Sequence, residues 1–130
     1  MCLSVKDIDE FYSALNANVV ERKVFSVFYG ALDENGVSWC SDTKNSDRLV
    51  DRINAFNNSL LLQVPLDRIQ YKAKSTAYQK DPKINLTRIP TLIYWPNPES
   101  PMVLLEESCP SPEKIDIQID RIFQSNGVKQ

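Results

Sequence analysis

The amino-acid sequence predicts an α/β fold in which a central mixed sheet carries helices on both faces. Two apolar runs, at residues 23–29 and 60–64, have the near-continuous apolarity of strands that are buried on both sides. Segments whose apolar residues keep helical spacing stand before, between and after these runs. Such alternation is typical of a sheet covered by helices. With 130 residues the chain is long enough for one domain, and we interpret residues 1–130 as a single unit.

The predicted elements follow one another in a simple order. A first helix is expected after Ser4 and Asp7, which resemble the start of a capping box. Its apolar face comprises Ile8, Phe11, Tyr12 and Leu15. The later elements are strands at 23–29, 60–64, 91–95 and 102–106, helices around 49–56 and 111–123, and a partial helix within 68–82. The last two strands are joined by the proline-rich segment 96–101, which is short enough for a hairpin at one edge of the sheet.

The composition excludes several classes of function. The chain has no histidine, which removes Ser-His-Asp and Cys-His catalysis and histidine zinc sites. Only 3 glycines are present, too few for a glycine-rich loop that cradles phosphate. The formal charge of −2 gives no electrostatic reason to expect a nucleic acid or an acidic membrane as partner.

The cysteines are odd in number and widely spaced, at Cys2, Cys40 and Cys109. Paired spacing is typical of a secreted disulfide framework, and the N-terminus lacks the basic and apolar regions of a signal peptide. We therefore expect a cytoplasmic protein with reduced thiols. Three scattered cysteines without histidine are also a poor ligand set for zinc or an iron–sulfur cluster, so no metal or cofactor is expected.

One pentapeptide carries the candidate chemistry: Trp39-Cys40-Ser41-Asp42-Thr43 lies between a predicted buried strand and a predicted helix. A cysteine at a helix N-terminus has its thiolate stabilised by unpaired N–H groups, and the thiolate is the nucleophile in thiol–disulfide exchange. Position alone leaves another interpretation open, because free cysteines are often small buried apolar residues. A second cue is Pro90, which follows Ile89 directly before a strand and is compatible with either an edge marker or a cis-proline turn.

Several motifs together resemble the thioredoxin-like Clot family (thioredoxin domain-containing protein 17 and relatives). They are Phe28-Tyr29-Gly30, the long polar loop up to Ser38, Trp39-Cys40-Ser41-Asp42, Lys80-Asp81-Pro82, Ile89-Pro90-Thr91-Leu92 and Glu107-Ser108-Cys109. The resemblance runs from about Val5 to Phe123. It implies a thioredoxin fold and thiol–disulfide oxidoreductase chemistry on small or protein disulfides.

The resemblance also implies residue roles. Cys40 would be the attacking thiol, with Asp42 and Thr43 beside it in the catalytic motif. Substrate contacts would come from Trp39, Ser41, Ile89 and Pro90, with Pro90 in a cis peptide bond. The family motif is Trp-Cys-X-Asp-Cys, and this chain departs from it because Thr43 stands where the second cysteine belongs.

That departure leaves two functions open. In a dithiol enzyme the second thiol releases the mixed disulfide formed by the first. Without it, the protein is expected to be a monothiol oxidoreductase that depends on an outside thiol, with thioredoxin reductase or glutathione as the reductant. Cys109 and Cys2 are weak candidates for an internal resolving thiol. The alternative is a redox-inactive module that binds a protein partner at the surface formed by Trp39 and Pro90; in either case we expect a monomer.

Overall fold

The computed structural model describes residues 2–35 and 58–106, together with Ile117 and Asp120. Its strands are β1 (Cys2–Ser4), β2 (Lys23–Gly30), β3 (Ser59–Leu66), β4 (Thr91–Trp95) and β5 (Met102–Glu106). Its helices are α1 (Ile8–Asn18), α2 (Arg68–Lys72) and α3 (Ala77–Lys80). The helix expected around 49–56 lies outside the described residues, as does that at 111–123 apart from Ile117 and Asp120, which are helical.

The five strands form one mixed sheet in the order β1-β3-β2-β4-β5. β3 runs parallel to both β1 and β2, whereas β4 runs antiparallel to β2 and β5. The two apolar runs therefore form the adjacent strands β2 and β3 inside the sheet, as predicted. The predicted hairpin is also confirmed: β4 and β5 keep their expected bounds, with an irregularity between Leu92 and Ile93.

Two local predictions were wrong. Ser4 does not begin a helix, because it ends β1, a short exposed strand that the sequence pattern did not reveal. Asp7 is the residue that caps α1, and its carboxylate accepts a hydrogen bond of 2.8 Å from the main-chain N–H of Glu10. The strand expected at 60–64 is longer than predicted, because β3 begins at Ser59 and continues through Pro65 to Leu66.

Pro65 is tolerated because β3 has a partner on only one side at that position. The pairing with β1 involves residues 61–63, so Pro65 lies beyond it and opposite Tyr29 of β2. The main-chain N–H that proline lacks costs little stability at a position where no neighbouring strand would accept a hydrogen bond from it.

The partial helix predicted within 68–82 forms as two short helices. Asp67 caps α2 and Thr76 caps α3, the latter with a complete capping box to Gln79. Lys74, between the helices, has φ of 56°. None of the helices in the part of the chain that the structure describes is long and apolar enough to cross a membrane.

Aromatic rings join α1 and α3 to one face of the sheet. Phe11 of α1 lies at centroid distances of 5.8 Å from Phe28 and 5.7 Å from Trp95, and Tyr78 of α3 packs against Phe28 at 5.4 Å. Because successive side chains of a strand point to opposite faces of the sheet, this cluster fixes which side chains of β2 point towards α1.

Two buried hydroxyls in this region differ in their hydrogen bonding. The indole Nε1 of Trp95 donates a hydrogen bond of 2.9 Å to the hydroxyl of Ser26, and both residues are buried. Within the described ranges, the buried hydroxyl of Tyr78 has no hydrogen-bond partner. Burial, reinforced by the carboxylates of Asp7 and Glu10, raises the pKa of Tyr78 to about 12.

Replacing Ser26 with alanine is expected to destabilise the protein by about 1–3 kcal/mol, because the indole N–H of Trp95 would be left buried without an acceptor. Urea unfolding followed by circular dichroism measures the effect. Tyr78→Phe is the matched control, since it removes a buried hydroxyl that satisfies no partner and should cost no stability. Equal losses in the two variants would contradict the hydrogen bond as the cause.

Candidate functional site

The carboxyl ends of β2 and β3 meet at one edge of the sheet because these strands run parallel, with Gly30 opposite Leu66. β1 ends earlier, since its last residue, Ser4, lies opposite Gln63. β4 runs the opposite way and starts at the same edge, with Thr91 opposite Phe28. We call this region, the ends of β2 and β3 and the start of β4, the carboxyl edge. Ligands of open α/β sheets bind outside such strand ends. The segment 39–43 follows β2 along the chain, so the carboxyl edge is the candidate site.

The peptide bond between Ile89 and Pro90 is cis, as predicted from the resemblance. It lies in the turn that leads into β4 at the carboxyl edge. The hydroxyl of Thr91 donates a hydrogen bond to the carbonyl of Arg88, so the residues on either side of the cis bond are tied to each other. Thr91 is buried, which protects this bond from competition with water.

The side chain of Ile89 points into the core. It is only 5% exposed and belongs to the buried cluster that also contains Ile84 and Leu86. Pro90 is buried as well. An extended substrate can therefore contact Ile89 only at the main-chain atoms of Ile89. The substrate contacts implied for Ile89 and Pro90 remain predictions, and because both side chains are buried we expect these contacts to involve main-chain atoms.

The turn before β4 begins at a second motif residue, Asp81. Its carboxylate accepts hydrogen bonds from the main-chain N–H groups of Lys83 at 2.8 Å and Ile84 at 3.0 Å. It also accepts a bond of 3.0 Å from the hydroxyl of Tyr12 on α1. Burial, followed by this bond to Asp81, raises the pKa of Tyr12 well above its usual value. Asp81 thus acts as an anchor that holds the chain after α3 to α1.

The remaining predicted site residues, Trp39, Cys40, Ser41, Asp42 and Thr43, lie outside the described residues, and so does Cys109. Cys2 is described and is exposed in β1. Within residues 2–35 and 58–106, no three histidine, cysteine, aspartate or glutamate side chains are grouped so that they could hold a metal ion.

Cys2 lies far from the carboxyl edge. It is in register with Leu61 of β3, which is in turn in register with Phe25 of β2. Phe25 precedes Gly30 by five residues, which corresponds to roughly 16 Å along a strand. The structure therefore places this thiol towards the opposite end of the sheet, on an outer strand.

Sequence reasoning passed over one residue at the carboxyl edge, Tyr29. It is partly exposed and stands opposite Pro65 in the register of β2 and β3. Sequence analysis placed Tyr29 in the apolar run of β2 and in the motif Phe28-Tyr29-Gly30 of the family resemblance, but assigned it no role at the site.

Comparison with known proteins agrees with the fold and with the resemblance. A family model described as "Thioredoxin domain-containing protein 17-like, thioredoxin domain" matches residues 4–120. Thioredoxin domain-containing protein 17 of Epinephelus coioides is 29% identical over 113 residues, which cover 82% of this chain and 85% of that protein.

Solved thioredoxin structures share the fold at low sequence identity. Mitochondrial thioredoxin 3 from Saccharomyces cerevisiae, in its oxidized form, gives a TM-score of 0.62 at 15% identity, covering 92% of this chain and 93% of that one. Thioredoxin O1 from Arabidopsis thaliana gives a TM-score of 0.58 at 16% identity, covering 95% of this chain and 96% of that one. The thioredoxin from Trypanosoma brucei brucei gives a TM-score of 0.60 at 14% identity, covering 95% of this chain and 92% of that one. The thioredoxin fold expected from the resemblance is therefore confirmed.

Proposed function

Because the chain belongs to the thioredoxin domain-containing protein 17-like family of thioredoxin domains, we propose that it is a monothiol thiol–disulfide oxidoreductase that acts through Cys40. The observation that carries this proposal is the pairing of β2 with β4, because it puts the turn at Ile89 and Pro90, which leads into β4, at the carboxyl edge. The strand that leads to Cys40 ends at the same edge. A docking turn and a nucleophile-bearing segment are thus attached to adjacent strands.

The reaction proceeds in three exchanges. The Cys40 thiolate attacks one sulfur of a substrate disulfide, a mixed disulfide forms, and the other substrate sulfur leaves as a thiolate. A second thiol must then attack the mixed disulfide. Since Thr43 has no thiol, an outside thiol such as glutathione performs this step: it attacks the Cys40 sulfur, forms a disulfide between Cys40 and glutathione, and releases the substrate thiol. A second glutathione then attacks the glutathione sulfur of that disulfide, so that oxidised glutathione leaves and the Cys40 thiolate is restored. One disulfide is reduced and two glutathione thiols are oxidised.

The residues around Cys40 have supporting roles in this proposal. The hydroxyl of Thr43 donates a hydrogen bond that stabilises the thiolate, since bonds to ionised groups are stronger than neutral ones. Asp42, two residues after Cys40, transfers protons to and from the sulfur atoms that take part in the exchange. Trp39 and Ser41 contact the substrate from one side, and the main chain at Ile89 and Pro90 contacts it from the other. The remote place of Cys2 supports an outside thiol over Cys2 as the resolving group.

A redox-inactive module that binds a protein partner is the second candidate. It is favoured by Thr43, because loss of the second cysteine removes turnover by the usual dithiol route. The same surface, formed by Trp39 and Pro90, would then hold the partner without exchange. Reactivity of Cys40 separates the two functions.

The proposal extends to the setting in which the protein works. The reductant is glutathione or thioredoxin reductase, the substrate is a small molecule or protein with a disulfide, and the compartment is the cytoplasm. The protein acts as a monomer, and neither nucleic acid nor a membrane takes part. The charge of −2 is the reason to leave out nucleic acid and a membrane, and the cysteine pattern is the reason for the cytoplasm. The outside reductant follows from Thr43, which stands where the second cysteine belongs.

At pH 7, Cys40 is expected to react with iodoacetamide faster than Cys2 or Cys109, because a thiol at a helix N-terminus has a pKa below the free value of about 8.5. Mass-mapped labelling kinetics measure the three rates in one sample. Cys2 is the internal reference, since it is exposed. Oxidised glutathione should then trap a mixed disulfide at Cys40.

Either of two results would overturn the assignment of Cys40. One is faster labelling of Cys109, and the other is labelling of Cys40 only after unfolding. A Cys40 that labels quickly but takes up no glutathione would favour the binding module.

A further inference from the structure

A cleft lies between the start of α1, the end of β3 and the start of α3. Its volume is about 310 Å³, at the lower end of the range for ligand pockets. We call it the acidic cleft, and the residues that define it are Lys6, Asp7, Leu66, Asp67, Gln70 and Tyr78. None of them belongs to the predicted redox motif, so the cleft is separate from the candidate chemistry of Cys40.

Two exposed carboxylates, those of Asp7 and Asp67, stand at the rim of the acidic cleft. Asp7 accepts a hydrogen bond of 2.8 Å from the main-chain N–H of Glu10, and Asp67 accepts one of 3.0 Å from that of Gln70. Each of these bonds uses one carboxylate oxygen. Among the described residues, neither aspartate forms an ion pair. Each carboxylate therefore keeps an oxygen with which to accept a further donor.

The wall of the acidic cleft contains a buried hydroxyl, that of Tyr78. Tyr78 is 6% exposed, and in the part of the chain that the structure describes its hydroxyl has no hydrogen-bond partner. A buried polar group without a partner is costly, so its place in the wall of a cleft points to a ligand that supplies the partner. The charges of Asp7 and Glu10 act on this hydroxyl and contribute to its raised pKa. The hydroxyl thus lies towards the rim at Asp7.

Charge selects a cation as the ligand of the acidic cleft. Lys6 contributes the positive charge among the residues that line it, against the two aspartates. The oxygens of the aspartates and of Tyr78 are acceptors, and a cationic nitrogen group is a donor without acceptor capacity. Ile8 and Pro65 also line the cleft, and their apolar surface suits the aliphatic stem of a long basic side chain.

A guanidinium fits these acceptors better than an ammonium does. Asp7 caps α1, Asp67 caps α2 and Tyr78 belongs to α3, so the acceptors converge from separate elements. A guanidinium spreads its N–H donors around a plane and is more weakly hydrated than an ammonium. It can therefore serve acceptors on several sides and is brought beside a buried hydroxyl at a lower desolvation cost.

Entry to the hydroxyl of Tyr78 requires side chains at the rim to move. Lys6 and Gln70 are exposed there. Their main-chain groups form hydrogen bonds, whereas no described residue binds their side chains. These two side chains can therefore be displaced without the loss of an internal hydrogen bond.

We propose that the acidic cleft binds a guanidinium group on an aliphatic stem, the chemistry of an arginine side chain. The guanidinium donates hydrogen bonds to the carboxylates of Asp7 and Asp67 and to the hydroxyl oxygen of Tyr78. The stem packs on the apolar part of the wall. This binding goes beyond the proposed function, because it involves neither Cys40 nor the turn before β4.

The test is a titration of the isotope-labelled full chain, followed by nuclear magnetic resonance at about 0.15 M salt, which screens the general attraction of an acidic surface. The probes are N-acetyl-arginine methylamide and n-butylguanidinium. Saturable shifts are expected for the main-chain N–H groups of Glu10 and Gln70, which donate to the two carboxylates, with a Kd of about 1 mM. N-acetyl-citrulline methylamide has the same shape without the charge and should bind about tenfold more weakly.

Three variants test the acceptors one at a time. Tyr78→Phe should weaken binding about threefold to tenfold, the worth of one hydrogen bond. Asp7→Asn and Asp67→Asn should each weaken it about threefold, and both keep their helix caps because asparagine caps as well as aspartate. Asp9→Asn is the matched control, since Asp9 carries the same charge in the first turn of α1 but does not line the cleft. Circular dichroism of each variant shows whether the fold is kept.

The outcomes decide the inference independently of the proposed function, which labelling of Cys40 tests. Shifts that do not saturate, or a citrulline derivative that binds as tightly as the arginine derivative, would refute the site. So would a folded Tyr78→Phe variant with the wild-type Kd, or an Asp9→Asn variant weakened as much as Asp7→Asn. Tighter binding of the arginine derivative than of n-butylguanidinium would support the site with a side chain of a polypeptide as its ligand. Equal binding would support it with a free guanidinium compound.

Discussion

Replacing Thr43 with cysteine is expected to raise disulfide-reductase turnover by about tenfold or more, because a tethered thiol has a far higher effective concentration than a free one. Residue 43 follows Cys40 by three positions, which is the Cys-X-X-Cys spacing of dithiol oxidoreductases. The variant should clear its mixed disulfide and form an internal disulfide. The wild-type protein should instead accumulate the mixed disulfide and be a poor reductase by itself. Turnover of a small disulfide coupled to dithiothreitol or thioredoxin reductase measures the difference.

Two controls define what the new thiol does. Thr43→Ser keeps the hydroxyl without adding a thiol, so its turnover should match wild type. The double variant with Cys40→Ser should lose activity, since a thiol at position 43 alone lacks the attacking partner. If Thr43→Cys forms no disulfide with Cys40, the local geometry differs from that of the family and the binding module becomes the better assignment.

Local sequence patterns were sufficient for the elements that bury continuous apolar surface. β2 and β3 appear as apolar runs because both of their faces are covered. β4 and β5 are flanked by prolines, which mark the ends of strands clearly. β1 carried no such signal: it has three residues, all exposed, and it exists because β3 offers a parallel partner.

Contacts between distant parts of the chain were beyond pattern analysis. The hydroxyl of Tyr12 binds Asp81 across 69 residues, and Trp95 binds Ser26 across the same separation. No spacing rule relates residues so far apart, since only folding brings them together. The cis bond before Pro90 was predictable only through the family resemblance, because proline before a strand is equally compatible with an edge.

The largest expected loss of stability is for Phe11→Ala, about 3–5 kcal/mol. Phe11 is fully buried, and its ring lies 5.3–5.9 Å from four other aromatic rings, those of Tyr12, Phe28, Tyr78 and Trp95. Truncation would therefore leave a cavity where α1, α3 and the sheet meet. Since domains are stable by only about 5–15 kcal/mol, a large part of the total would be lost.

Urea unfolding followed by circular dichroism and by tryptophan fluorescence measures this loss, since Trp95 is one of the rings in contact with Phe11. Val20→Ala is the matched control: Val20 is apolar but 91% exposed just after α1, so its truncation should change stability by less than about 0.5 kcal/mol. A loss below about 1 kcal/mol for Phe11→Ala would mean that neighbouring rings close the cavity. The aromatic cluster would then not be the contact that holds α1 against the sheet.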